Sequence, residues 1–277
     1  MRVNEIFYSL QGEGMLVGTP SVFVRLAGCP FRCRWCDTAY AWDFAAGQEL
    51  DPGQIAEQVN LWPCRFVVLT GGEPVTGPDF ALRPGLVDLS HRLQAAGKHI
   101  TMETSGVLFV PDLACDLMSI SPKLTNATSS AGTRQRVCEK SVRRGIGLQP
   151  MNHRQDADAT KRRGQARPER SERDARAIFR IPSLADQLDL ATIRRLIRAY
   201  PYQLKFVVES SEDVEEVRHV LDRLGDLETT RVMLMPQAST PEELLRLSPA
   251  IAEACKQTGL RFGPRLHLLL WGRQRGV

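Results

Sequence analysis

The chain lacks any apolar run near 18 residues and does not open on a charged-then-apolar leader. Neither a membrane span nor export is therefore expected, and a cytoplasmic, reducing location is. It lacks an internal repeat, which argues against solenoids and propellers. It lacks strong net charge: the formal value is +4 over 277 residues, too little to argue for a nucleic-acid partner. It lacks a second cysteine pair. Seven cysteines are present and three fall within eight residues, while Cys64, Cys115, Cys138 and Cys255 stand apart. An odd, crowded set with no export signal points to a metal or cluster before disulfides.

What is present suits one well-filled α/β domain: 277 residues with 43% apolar content. Strand-like runs occupy 21–27, 66–70, 99–103, 117–120, 202–208 and 231–235. They read as apolar on both faces, as in a covered parallel sheet. Helix-like stretches lie between them at 52–61, 82–96, 188–199, 211–224 and 240–257. Pro52, Ser-Glu-Asp at 211–213 and Thr-Pro-Glu-Glu at 240–243 are start signals, and Gly97 and Gly259 are stops. Alternation of this kind predicts a βα-repeat fold, open or closed into a partial barrel.

The unusual residues cluster on this map. Gly-Gly-Glu-Pro at 71–74, Thr-Ser-Gly at 104–106, Ser-Pro-Lys at 121–123 and Pro-Gln at 236–237 each follow a predicted strand. The crowded cysteines follow the first. In parallel βα folds that rim is where ligands bind. One segment breaks the pattern. Residues 126–177 carry 13 Lys/Arg against 6 Asp/Glu and no apolar period, so the rest of the chain is slightly acidic. They are expected to form a flexible basic insertion within a single 1–277 domain.

The cysteines read Cys29-Pro-Phe-Arg-Cys33-Arg-Trp-Cys36, a C-x3-C-x2-C spacing. Three thiolates can hold three irons of a [4Fe–4S] cluster and leave the fourth open to a small molecule. The rival is zinc, which needs a fourth ligand brought from afar. With Trp35 before the last cysteine, the segment resembles the signature of the radical S-adenosylmethionine superfamily. Gly71-Gly72-Glu73-Pro74 resembles that superfamily's motif for the methionyl amino group. Glycines let carbonyls approach an amine, and Glu73 offers a charge-assisted acceptor.

Arg25 lies inside an otherwise apolar strand, which is costly unless it is paired or ligand-bound. With Gln11 and Glu13 it could grip a flat, polar heterocycle bearing a carboxylate. The alternative is a Glu13–Arg25 ion pair that ties an edge strand down. These residues stand in segments that resemble the 7-carboxy-7-deazaguanine synthase family. The segments are Ser-Leu-Gln-Gly-Glu-Gly at 9–14, Phe-Val-Arg-Leu-Ala-Gly-Cys at 23–29, Cys-Asp-Thr at 36–38, Thr-Gly-Gly-Glu-Pro at 70–74, Glu-Thr-Ser-Gly at 103–106, Ser-Pro-Lys at 121–123, Gln-Leu-Lys-Phe at 203–206 and Met-Pro-Gln at 235–237. They are spread over most of the chain outside 126–177.

The resemblance implies a partial (βα)6 barrel with a long insertion after the fourth strand. It implies a carbon–nitrogen lyase of queuosine biosynthesis. Such an enzyme turns 6-carboxy-5,6,7,8-tetrahydropterin into 7-carboxy-7-deazaguanine and ammonia, with no side-chain acid or base as its central catalyst. It implies Cys29, Cys33 and Cys36 as cluster ligands. It implies Leu10, Gln11, Gly12, Glu13, Arg25 and Thr70 around substrate. Trp35, Cys36, Asp37, Gly72, Glu73, Ser121, Pro122, Lys123 and Gln237 would surround S-adenosylmethionine. Thr38 would touch Mg²⁺ as a lone hydroxyl beside substrate oxygens and water; its alternative is a turn residue bonded to its own backbone. His267 is either a second substrate contact or a core histidine. The tail 271–277 could fold back as a lid. A flavodoxin or ferredoxin electron donor and a homodimer are also implied. Two rivals stand beside this reading: a glycyl-radical-enzyme activase, and a non-enzymatic iron–sulfur or zinc module that binds RNA.

Overall fold

The computed structural model describes residues 1–127 and 188–277. All but the first two residues of the expected insertion lie outside them. Those two, Asn126 and Ala127, are structured: they end a 3-10 turn, Thr125–Ala127.

Nine strands among the described residues form one sheet in the order β3-β1-β2-β4-β5-β6-β7-β8-β9. Six parallel strands make its centre: β2 (Pro20–Leu26), β4 (Phe66–Gly71), β5 (His99–Thr104), β6 (Leu117–Ile120), β7 (Tyr202–Val208) and β8 (Val232–Pro236). They fall within one residue of the expected runs. The flanks were not foreseen. β1 (Arg2–Leu10) runs antiparallel to β2, β3 (Gln48–Glu49) pairs with β1, and β9 (Arg261–Phe262) pairs with β8.

The six central strands are not apolar on both faces. Val22, Val24, Leu26, Val67, Leu69, Ile100, Met102, Leu204 and Phe206 point to one side and belong to the main core. The alternating positions include Arg25, Thr70, Glu103, Ser119 and Lys205, and they point to the other. Thr70, Glu103, Ser119, Lys205 and Met235, one from each of β4 to β8, line the same cavity. The sheet therefore curves around it as an open partial barrel, with period-two alternation separating core from site.

The helices cover the apolar face. α1 (Pro52–Asn60) starts on an Asp51–Gln54 capping box with Pro52 in its first turn. α2 spans Leu86–Ala95, four residues later than expected. The reason lies in Arg83. Its backbone bonds to Val75, and its guanidinium holds the carbonyls of Pro74 and Glu73 at 2.9 and 3.1 Å. That stretch straps the Gly-Gly-Glu-Pro turn instead of opening a helix. α3 (Leu190–Ala199), α4 (Ser211–Leu224) and α5 (Pro241–Thr258) start on Asp189, Ser210 and Thr240 as N-caps. A short unforeseen helix, α6 (Leu266–Trp271), follows β9.

Candidate active site

The cysteine loop leaves β2 and packs backbone-to-backbone on the turn that leaves β4. Glu73 N donates to the Gly28 carbonyl at 2.9 Å. A Cβ at position 72 would lie 2.4 Å from the Gly28 oxygen, so only glycine allows this approach. Cys29, Cys33 and Cys36 all face one cavity of about 160 Å³. Burial, then the nearby Glu73 carboxylate, pushes the Cys29 thiol up to about 12. Burial raises Cys33 too. Bound iron would take the place of those protons.

The donor set suits a cluster. The three sulfurs are not among the ligand atoms that lie within 4.8 Å of one another, as a single tetrahedral ion would require. Among the described residues no fourth cysteine joins them. Cys64 points its Sγ at the carbonyls of Pro20 and Phe66, and Cys115 at that of Ile100. Trp35 Nε1, on the cavity wall, is buried without a partner.

Around this cavity, Glu73 is spoken for. Its carboxylate accepts Thr104 Oγ1 at 2.6 Å, Ser105 N at 2.8 Å and Ser105 Oγ at 2.6 Å. It ties two rim turns together. Lys123 donates to Ser121 Oγ at 3.1 Å and lies over the Trp35 ring. Gly72, Ser121, Lys123 and Asp37 line the same space. Pro122 is buried and Gln237 follows β8; neither contributes to the wall lining.

A second cavity of about 340 Å³ adjoins the first. Leu10, Gln11, Gly12, Glu13, Arg25, Thr70 and His267 all face it. The two cavities share Glu13, Asp37, Thr38, Thr70, Gly71 and Glu103 as walls. Residues 272–277 fold back over the second cavity, and Arg275 lies 3.5 Å from the Tyr40 ring centroid.

The expected alternative of a Glu13–Arg25 ion pair does not form. Arg25 faces Glu5 across the β1–β2 ladder and donates to its Oε1 at 2.7 Å. Tyr40 donates to the same oxygen at 2.7 Å. Glu13 instead pairs with Lys205 at 3.0 Å and Arg265 at 3.0 Å. Burial opposes its charge, but those two cations outweigh burial and hold its pKa below the ordinary carboxylate range. Lys205 also donates to Glu103 at 2.9 Å, and Thr70 Oγ1 to Glu103 at 3.0 Å.

Glu13, Asp37 and His267 have ligand atoms within 4.8 Å of one another. A divalent ion there would meet Arg265, which already bonds both carboxylates. An ion-pair network fits this trio better than a metal. Thr38 stands on both cavities, with Oγ1 3.7 Å from Cys36 Sγ. His267 packs against Gly12, and burial lowers its pKa, which favours the neutral ring.

Glu5, Tyr40, Glu103, Lys205 and Arg265 escaped the sequence reading as site residues. For Glu103 and Lys205 the signal existed: each is a charge inside a strand, the argument that singled out Arg25. Replacing Glu13 with Gln should leave Lys205 with Glu103 and Arg265 with Asp37 as their remaining carboxylates and cost about 2 kcal/mol of stability, read by chemical denaturation near pH 7. Because the folded-state pKa is lowered from 4.5, that contribution is complete above about pH 4.5 and fades as pH falls below it.

Comparison with known proteins identifies relatives of the whole chain. The family described as the Radical SAM superfamily matches residues 24–128. A Halobacterium salinarum protein named 7-carboxy-7-deazaguanine synthase is 36% identical over 275 residues, spanning 97% of this chain and 90% of that one. A Pyrobaculum aerophilum protein of the same name is 36% identical over 281 residues, spanning 100% and 97%. The crystal structure of QueE from Escherichia coli superposes with a TM-score of 0.58 at 20% identity, over 96% of this chain and 94% of that one. That last likeness is one of fold.

Proposed function

This chain belongs to the 7-carboxy-7-deazaguanine synthase family, and we propose that it contracts 6-carboxy-5,6,7,8-tetrahydropterin to 7-carboxy-7-deazaguanine with release of ammonia. The observation that carries this reading is the shared wall. A cavity bearing three cysteines opens onto a second cavity bearing Gln11, Glu13 and Arg25, through Thr70, Gly71, Asp37 and Thr38. Two molecules can therefore meet across that wall.

Cys29, Cys33 and Cys36 hold the [4Fe–4S] cluster. With S-adenosylmethionine bound and the cluster reduced, the pair would supply the radical chemistry that exchanges a hydrogen atom with C6 of the pterin. Trp35, Asp37, Gly72, Ser121 and Lys123 surround S-adenosylmethionine, and Glu73 keeps their turns in register. On the other side, Arg25 grips the pterin carboxylate. Glu5 takes its Nε, so the two terminal nitrogens stay available for a bidentate pair. Leu10, Gln11, Gly12, Thr70 and His267 frame the ring, and Glu13 accepts from its amino-pyrimidine edge. Thr38 can give Mg²⁺ one oxygen, with substrate oxygens and water completing the shell.

A flavodoxin or ferredoxin supplies the electron, and the working form is a cytoplasmic homodimer, as the family resemblance implies. No helix among the described residues is long and apolar enough to cross a membrane. An activase needs a protein substrate, and the tail folded over this cavity favours a small one.

One anaerobic reaction tests the assignment. Reconstituted protein is mixed with dithionite, S-adenosylmethionine, Mg²⁺ and the pterin deuterated at C6. The expected result is 7-carboxy-7-deazaguanine in excess of S-adenosylmethionine consumed, with deuterium exchanged into S-adenosylmethionine. Formation of 5′-deoxyadenosine alone would refute the substrate and promote the activase reading.

A further inference from the structure

Arg265 is 7% exposed, and no role assigned above uses it. Its guanidinium reaches three rim loops. Nε donates to Glu13 Oε1 at 3.0 Å, on the substrate loop. One terminal nitrogen donates to Asp37 Oδ2, on the cluster loop directly after Cys36. The other donates to the Ala238 carbonyl, just past β8. Leu266 continues the contact by donating its N–H to the Gly12 carbonyl at 2.8 Å.

Burying a guanidinium is costly unless its donors are matched, and here every nitrogen has an acceptor. The planar fork also fixes the spacing between its acceptors, which a flexible ammonium cannot do. From Arg265 the bonding runs through Glu13, Lys205 and Glu103 to the Thr70 hydroxyl. Asp37, Glu13, Glu103 and Thr70 all belong to the wall shared by the two cavities.

We propose that Arg265 is a positioning residue that fixes the separation of the substrate loop from the cluster loop, and so governs how much of the radical is delivered to substrate. The inference rests on the proposed function. Arg265 need touch neither reactant, because it acts through Glu13 and Asp37. Misplacement by about 1 Å can cost an aligned reaction ~10²-fold. Without the brace, S-adenosylmethionine is still cleaved, but the radical is spent unproductively. A merely structural residue would lower both outputs together.

The test compares wild-type protein with Arg265→Met and Arg265→Lys, each reconstituted and matched for iron content. The readout is 5′-deoxyadenosine accumulated per 7-carboxy-7-deazaguanine formed. Wild-type turnover without product would sink the proposed function and leave the brace without a premise. Given wild-type product, at least a ~10-fold rise in that ratio is expected for Met, and a smaller rise for Lys, which keeps the charge but lacks the rigid fork that spaces the three acceptors. Should Met fail to fold, Lys alone decides by the same ratio. An unchanged ratio in a folded, iron-loaded variant would overturn the brace, whether or not both outputs fell.

Discussion

Cys33→Ser is expected to yield a folded protein that takes up less than one iron per chain, where the unaltered protein takes up about four. Neither 5′-deoxyadenosine nor ring-contracted product should form, a loss of at least ~10³-fold, or about 4 kcal/mol of transition-state stabilisation. The fold should survive because the loop packs in a small cluster of its own. Cys29, Phe31, Cys33 and Ala127 pack together apart from the main core. Iron analysis and melting curves separate the two effects. Cys64→Ser is the control. Its Sγ already points at the carbonyls of Pro20 and Phe66, where a hydroxyl can donate, so iron content should be unchanged. Full iron loading in Cys33→Ser would remove this residue from the cluster ligands.

Gly12→Ala is the second large effect, and it works by contact alone. The backbone at Gly12 is not left-handed, so alanine suits its conformation. The added Cβ, however, would stand 2.0 Å from His267 Nδ1, 2.7 Å from its Cγ and 2.9 Å from its Cβ. Rotating the side chain about its Cα–Cβ bond relieves the first two contacts but not the third, so the α6 segment must move. That movement breaks the Leu266–Gly12 hydrogen bond and displaces Arg265 with it. Product formation should fall ~10²-fold with iron content unchanged. Steady-state kinetics beside an electron paramagnetic resonance spectrum of the reduced cluster would check both halves. Wild-type turnover in Gly12→Ala would mean the tail yields freely and does not shape the cavity.

How much of this was legible depends on sequence distance. The six central strands were readable because each is a short apolar run ended by a glycine or polar turn. β1 was not, because Arg2, Asn4 and Glu5 interrupt its apolar residues and its partner lies beyond a loop. β3 and β9 have two residues each, too few for any period. In the site, Arg25 announced itself as a charge in an apolar strand. Its partner did not: Glu13 is nearby in a conspicuous motif, yet the antiparallel register brings Glu5 opposite. The reading of strands as apolar on both faces hid Glu103 and Lys205, whose alternation with core residues only the curved sheet makes plain. Arg265 sits in a run without a motif, and nothing local marks it.

Glu13 and Arg265 are 252 residues apart in sequence, and Lys205 and Glu13 are 192 apart. Contacts of that span form late, since the intervening chain must first give up its freedom. β1 to β6 can assemble from near neighbours, bringing the cysteine loop and its supporting turn into place. The seam between the cavities closes only when α6 docks. In a refolding experiment, amide protection at Leu266 should therefore lag behind protection in β4 and β5. A half-folded chain would then hold Cys29, Cys33 and Cys36 together while the second cavity still lacked the wall that His267 and Leu268 supply.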